Sequence, residues 1–380
     1  MKKRMLPLFV AMCLILTGCG LFDGSYLSIT PHEEQTHYTQ TEVVSAYNYR
    51  QLQKAVEDMV ASGSETGVIH IADFDQELVE NNMTNISRYI RQTYPVGAYA
   101  VEDIRYEIGT NSGRPAIALI ITYRHGRVEI QKIRKVQTMD GAQMVIGDAL
   151  DACNAGVVLQ IANYQEMDFA QIVEDYVEEN PDSVMEMPLV AAGIYGNGKS
   201  RVVELSFTYQ TSRDSLRSMQ DQVEPVFESA ALYVSGEGSE SQKYAQLYGF
   251  LMERFEYTIE TSITPAYSLL VHGVGDSRAF AMVYAAMCRQ AGLECQIVTG
   301  TRLGEPWTWN IVLDNGNYYH VDLIRGSYSG GFREYTDGDM VGYVWDYSAY
   351  PACMSGFTQS VEPWQETEET LSADATKNLE

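Results

Sequence analysis

The sequence predicts an α+β chain whose first half is a duplicated αβαββ region. Three observations carry that reading. The composition is that of a core-forming globular protein, with 45% hydrophobic and 20% charged residues over 380 positions, enough for two or three domains. The segment Gly67-Val68-Ile69-His70-Ile71-Ala72-Asp73-Phe74 is echoed by Gly156-Val157-Val158-Leu159-Gln160-Ile161-Ala162-Asn163-Tyr164. Helical and strand-like periods alternate in the same order around both copies. The charge balance excludes one class of function. Lys and Arg total 26 against 51 Asp and Glu, for a net charge of −25, so the chain repels phosphate backbones and nucleic acid is not an expected partner.

The N-terminus reads as a targeting signal, residues 1–18. Lys2, Lys3 and Arg4 precede an apolar stretch over residues 5–16 that is too short to span a bilayer. It ends in Leu16-Thr17-Gly18-Cys19, which resembles the bacterial lipobox, where the Cys becomes the diacylglyceryl-modified first residue of the mature protein. The expectation is a lipoprotein anchored in the cell membrane through Cys19 and facing outside the cytoplasm. Residues 19–44 are polar and read as a tether. Residues 358–380 are acidic and read as a disordered tail.

Between them, residues 45–236 hold the duplicated region. Helical periods over residues 49–61 and 141–153 lead into the two echoed strands. Amphipathic helices follow and end at Pro95 and Pro181. Strand pairs then come over residues 98–108 with 116–124, and 184–195 with 201–210, joined at Asn111-Ser112-Gly113 and Gly196-Asn197-Gly198. No catalytic constellation stands in this region. Residues 212–236 read as a polar helix or helix pair containing Pro225. Tyr244, Leu247, Leu251 and Phe255 mark another helix at the entrance to the last domain, residues 237–357.

Four cysteines remain in the body: Cys153, Cys288, Cys295 and Cys353. They allow three complete pairings. A bridge between Cys288 and Cys353 suits an oxidising compartment, and Cys295 reads as a small core residue. Cys288 and Cys295 have no second close pair and no His at ligand spacing, so neither a metal site nor a cofactor is expected.

Three blocks of the last domain carry a resemblance. They are Gly273-Val274-Gly275-Asp276-Ser277-Arg278-Ala279-Phe280-Ala281, then Gly292-Leu293-Glu294-Cys295-Gln296-Ile297-Val298-Thr299-Gly300, then Trp307-Thr308-Trp309-Asn310-Ile311-Val312 with Asn315-Gly316-Asn317-Tyr318-Tyr319-His320-Val321-Asp322. In order and spacing they resemble the transglutaminase-like domain of the papain-like cysteine-enzyme superfamily. The resemblance implies a helix packed on an antiparallel sheet. It also implies a triad of a Cys at the helix start, a His on the next strand and an Asp on the strand after that. A helix N-terminus stabilises a thiolate, the His takes the thiol proton and the Asp orients the His.

Here Ser277 stands at the Cys position and Trp307 at the His position, and only Asp322 matches. No catalytic residue is therefore expected, and the domain is read as a pseudoenzyme that binds or scaffolds at the cell envelope. Trp307, Trp309 and Asp322 are its candidate binding residues, and the partner is a cell-envelope protein or glycan. Asp276 and Ser277 also read as ordinary helix-capping residues. The alternative is an active hydrolase or acyltransferase using Ser277, with His320 or His272 as base. His320 lies two residues before Asp322 and so shares its strand face, and His272 sits on the loop before Ser277. Cys288 is about 16 Å beyond Ser277 along a helix axis, too far to inherit the site.

Overall fold

A computed structural model describes residues 44–354 apart from residues 72, 73, 75 and 235. Cys19, the expected signal peptide and the expected acidic tail lie outside the described residues. The chain is α+β, with three four-stranded sheets and a two-stranded one among the described residues.

The first sheet contains β1 (Val44–Ala46), β2 (Thr66–Ile71), β3 (Val101–Asn111) and β4 (Arg114–Tyr123) in the order β1-β2-β4-β3. Helix α1 (Tyr49–Ser62) joins β1 to β2, and α2 (Gln76–Gln92) and α3 (Pro95–Ala100) join β2 to β3. Asn48 caps α1 by accepting the Gln51 N–H, and Gly63 ends it at φ 69°, a left-handed conformation that favours glycine. The second sheet contains β5 (Arg134–Val136), β6 (Gly156–Ile161), β7 (Leu189–Tyr195) and β8 (Arg201–Thr208), in the order β5-β6-β8-β7. Helix α4 (Arg127–Gln131) precedes β5, α5 (Met139–Asp151) joins β5 to β6, and α6 (Phe169–Glu179) joins β6 to β7. The two sheets share one strand order.

Each unit is βαβαββ rather than αβαββ. The opening strands β1 and β5 are three residues long, too short to display alternation. A second correction concerns residues 98–100, expected to be strand. They close α3, which Pro95 starts at its first position. A Cβ at Gly97 would lie 2.4 Å from the Ile90 carbonyl oxygen, so glycine there lets α3 press against α2. Tyr99 of α3 meets the Tyr195 ring edge-on at 5.3 Å, and Val202 of β8 joins the first core. The two units therefore pack through α3, and Val202 and Val203, neighbours on opposite faces of β8, are both fully buried.

The rest of the body is built around one helix. Helix α7 (Arg213–Tyr233) runs unbroken past Pro225, and α8 (Glu240–Met252) starts at a Ser239–Gln242 capping box. Short strands β9 (Glu256–Tyr257) and β10 (Val274–Gly275) pair in parallel around α9 (Pro265–His272). Helix α10 (Ser277–Gln290) follows and is buried from Ala279 through Cys288, so it is apolar all round rather than on one stripe. It packs on a sheet of β11 (Cys295–Arg302), β12 (Glu305–Asp314), β13 (Asn317–Val321) and β14 (Tyr343–Val344), in the order β13-β12-β11-β14. Helix α11 (Leu323–Tyr328) leaves the end of β13.

That sheet has two covered faces. Leu216, Val223 and Phe227 of α7 share one core with α8, α9, α10, Val312 and Val321. The expected boundary at residue 237 thus falls inside a single core. Val298, Trp309, Ile311, Tyr335, Trp345 and Cys353 form the core on the other face. Cys288 belongs to the first of these cores and Cys353 to the second. The sheet separates them, and all four body thiols are free, which corrects the expected Cys288–Cys353 bridge.

Candidate functional site

Helix α10 begins where the chain turns out of β10. Asp276 is its N-cap and accepts the Ala279 N–H at 2.9 Å. Ser277 is therefore the first helical residue. It is 9% exposed, and its Oγ accepts the Thr308 N–H from β12 at 3.3 Å. The hydroxyl sits at the positive end of a long helix, against the strand that carries Trp307.

Trp307 and Asp322 meet. The indole Nε1–H donates to Asp322 Oδ2 at 2.9 Å. The same oxygen accepts the Tyr343 hydroxyl at 2.6 Å, with Arg302 Nη1 at 3.9 Å. Asp322 Oδ1 caps α11 by accepting the Arg325 N–H at 2.9 Å. The carboxylate is 2% exposed, and its charge is held by three hydrogen-bond donors and one guanidinium, from four segments. Burial, with the Asp322 carboxylate second, pushes the Tyr343 hydroxyl well above its usual range and keeps it a donor. An indole N–H can only donate. The Trp307 side chain thus satisfies the acid but presents no lone pair to Ser277.

Neither alternative base reaches the site. His320 is fully buried on the other face of the sheet. Its Nδ1 accepts the Trp309 Nε1–H at 2.9 Å, and its Nε2 lies 2.9 Å from Asp337 Oδ1. Because the indole can only donate, Nδ1 is the bare nitrogen and Nε2–H donates to Asp337. Burial lowers the pKa of His320 against the opposing pull of Asp337, in keeping with a neutral ring. His272 is exposed at the end of α9, edge-on to the Tyr267 ring at 5.0 Å, and does not line the cleft described below.

Among the described residues, His320, Asp337 and Cys353 have ligand atoms within 4.8 Å of one another. A metal there would need the Nε2 lone pair, and the Trp309 hydrogen bond puts the proton on that nitrogen. Burial and Asp337 also push the Cys353 thiol up to about 12, so it stands as a neutral thiol beside the carboxylate. The cluster is a hydrogen-bonded clasp between β13 and the following loops.

Ser277 and Trp307 open onto a cleft of about 830 Å³. One wall is the segment carrying Tyr257, Ile259 and Thr261, and another is the hairpin from Thr299 to Thr308. The third comes from α6 of the second unit through Glu174 and Glu178. Arg278, next to Ser277, ties that wall on, with Nη2 at 2.9 Å from Glu178 Oε1 and 3.9 Å from Glu174 Oε1. Burial raises the Glu178 pKa, and Arg278 opposes the shift. Of the three expected binding residues, Trp307 alone lines the cleft. Trp309 is 1% exposed, wedged among Tyr343, Trp345 and His320, and Asp322 is enclosed by its donors. Tyr257, Arg278, Arg302 and the α6 acids form part of the site without having been singled out in the sequence.

Residues 228–323 match the family model of the transglutaminase-like superfamily. No curated protein matches the chain. Among solved structures, one described as a TGase aligns at 12% identity over 44% of this chain and 50% of its own, with a TM-score of 0.25. A putative cysteine protease from Cytophaga hutchinsonii aligns at 13% identity over 41% and 70%, also at 0.25. A putative protease from Parabacteroides distasonis aligns at 8% identity over 67% and 39%, at 0.22. The chain thus spans half the length of the first of these structures. Residues 228–323 carry a transglutaminase-like domain within a larger α+β chain.

Proposed function

We propose that the transglutaminase-like domain binds a ligand in the cleft above Ser277 without turning it over, and that Cys19 holds the chain at the cell membrane through lipid. One observation supports the first part above all: the Trp307 indole donates to Asp322 at the position where the resemblance sets a proton-accepting His. A serine hydroxyl lacks useful nucleophilicity at neutral pH unless a base takes its proton. Neither His320 nor His272 lines the cleft, and the Cys288 thiol is buried and far above its usual pKa, chiefly through burial. Loss of the base alone costs orders of magnitude in rate.

The purified protein is expected to show no amidase, protease or cross-linking turnover above that of Ser277→Ala, on casein and on peptides containing Gln and Lys. Turnover that disappears in Ser277→Ala would hand the site to the serine-enzyme alternative.

The anchor rests on Leu16-Thr17-Gly18-Cys19 after a short apolar run. In the described residues no helix is long and apolar enough to cross a membrane. Cys19→Ala is expected to abolish incorporation of labelled palmitate and to leave the protein soluble or unprocessed. A mutant that still sediments with membranes at its normal mature size sinks the anchor.

A further inference from the structure

We infer that the cleft selects a basic, extended peptide segment over a glycan, and that α6 of the second βαβαββ unit supplies the selecting rim. This rests on the binding reading above and adds the class of ligand. The α6 wall lies outside residues 228–323, so it is this chain's own addition to the matched domain.

The charges around the cleft decide the sign. Its lining has four acids, Glu174, Glu178, Asp276 and Glu305, and two cations, Arg278 and Arg302. Both cations are engaged. Arg278 lies between Glu178 and Glu174, and Arg302 faces Asp322 at 3.9 Å and covers the Trp307 ring at 4.9 Å. Asp276 is occupied as the α10 cap. Glu174, 3.9 Å from an Arg278 that sits closer to Glu178 and with its side chain 47% exposed, and Glu305, exposed and without an ion-pair partner among the described residues, are the acids placed to face a ligand. They stand on different walls, one on α6 and one on the β11–β12 hairpin. The net charge of −25 adds a long-range field of the same sign.

The apolar part of the lining decides between peptide and sugar. Ile259 is 84% exposed and Leu303 82% exposed, on two separate walls of the cleft. Large exposed aliphatic groups around a concave site suit the side chains of an extended peptide. A sugar ring would want a bare aromatic face. Trp307 instead carries the Arg302 guanidinium and lies 5.6 Å from the Tyr257 ring. The arrangement favours Lys or Arg at the acidic rim beside aliphatic residues at Ile259 and Leu303.

The test is selection of a degenerate octapeptide library on the purified full-length chain in detergent, read by mass spectrometry, with chito-oligosaccharide as a parallel probe. The expected result is enrichment of Lys and Arg over Asp and Glu by about tenfold. Glu174→Gln with Glu305→Gln is expected to lose it. That double variant changes the net charge by only two units, so its loss would exclude general attraction to an acidic surface. No enrichment, or enrichment that survives the double variant, overturns the inference. So does chito-oligosaccharide binding lost in Trp307→Ala, which would make the cleft a glycan site and leave the non-catalytic reading standing. Ser277-dependent cleavage or cross-linking of the enriched peptides would overturn the non-catalytic reading while leaving the ligand class intact.

Discussion

Ser277→Cys combined with Trp307→His is expected to give a thiol on the order of tenfold more reactive toward iodoacetamide at pH 7 than Ser277→Cys alone. Position 277 is the first residue of α10, where the helix dipole and free N–H groups favour a thiolate. Removing the indole frees Asp322 Oδ2 from the Trp307 donor, and a histidine there has an acidic partner to orient it. A neighbouring imidazolium lowers a thiol's pKa by several units, which converts a few per cent of thiolate at neutral pH into a majority. The gain is smaller than the change in thiolate fraction, because a less basic thiolate is a weaker nucleophile. Cys288 and Cys353 are fully buried and Cys153 nearly so, and the unsubstituted chain measures their background along with that of Cys295. Equal reactivity in the single and double variants would mean that side chain 307 does not face side chain 277. The binding reading would then lose its explanation for the missing base.

How much of this was legible in the sequence depends on the range of the interactions. The start of α10 was, because Asp276-Ser277 is a local capping signal and the apolar run after it is long. The indole at position 307 was also visible as a departure from the motif. Its bond to Asp322 was not, since the two stand fifteen positions apart on different elements. The fate of His320 was half legible. Alternation correctly sets it on the face that Asp322 would continue, but the chain leaves the strand at Asp322 to begin α11. The two side chains then diverge, His320 toward Trp309 and Asp337, Asp322 toward Trp307 and Tyr343. The α6 wall had no sequence signal. Glu174 and Glu178 look like any solvated i,i+4 pair, and Arg278 finds Glu178 across a separation of one hundred residues. The strands β1 and β5 were missed for a different reason: three residues cannot show a period of two.

Asp322→Ala is expected to cost about 3–7 kcal/mol of stability, the sum of a lost cap and two donors left without a partner. The residue is 2% exposed and makes no contact that reads as dispensable. Its Oδ1 holds the first turn of α11 through the Arg325 N–H, and an N-cap is typically worth about 1 kcal/mol. Its Oδ2 takes the Trp307 indole and the Tyr343 hydroxyl, and each buried donor left unpaired costs about 1–3 kcal/mol. Arg302 would also lose the carboxylate that faces it, although its side chain is 26% exposed and water recovers part of that. Asp322→Asn keeps an acceptor at the helix cap and loses the charge, so it should fall between Ala and the native residue. Urea unfolding of the three proteins, followed by tryptophan fluorescence, gives the order. Trp307, which bonds Asp322, and Trp309, in the core on the other face, both contribute to that signal. If Asp322→Ala unfolds within about 1 kcal/mol of the native protein, the carboxylate is not the tie between β12, α11 and β14. If Asn proves as damaging as Ala, the charge rather than the cap carries the effect, and Arg302 becomes the partner to test by a double-mutant cycle.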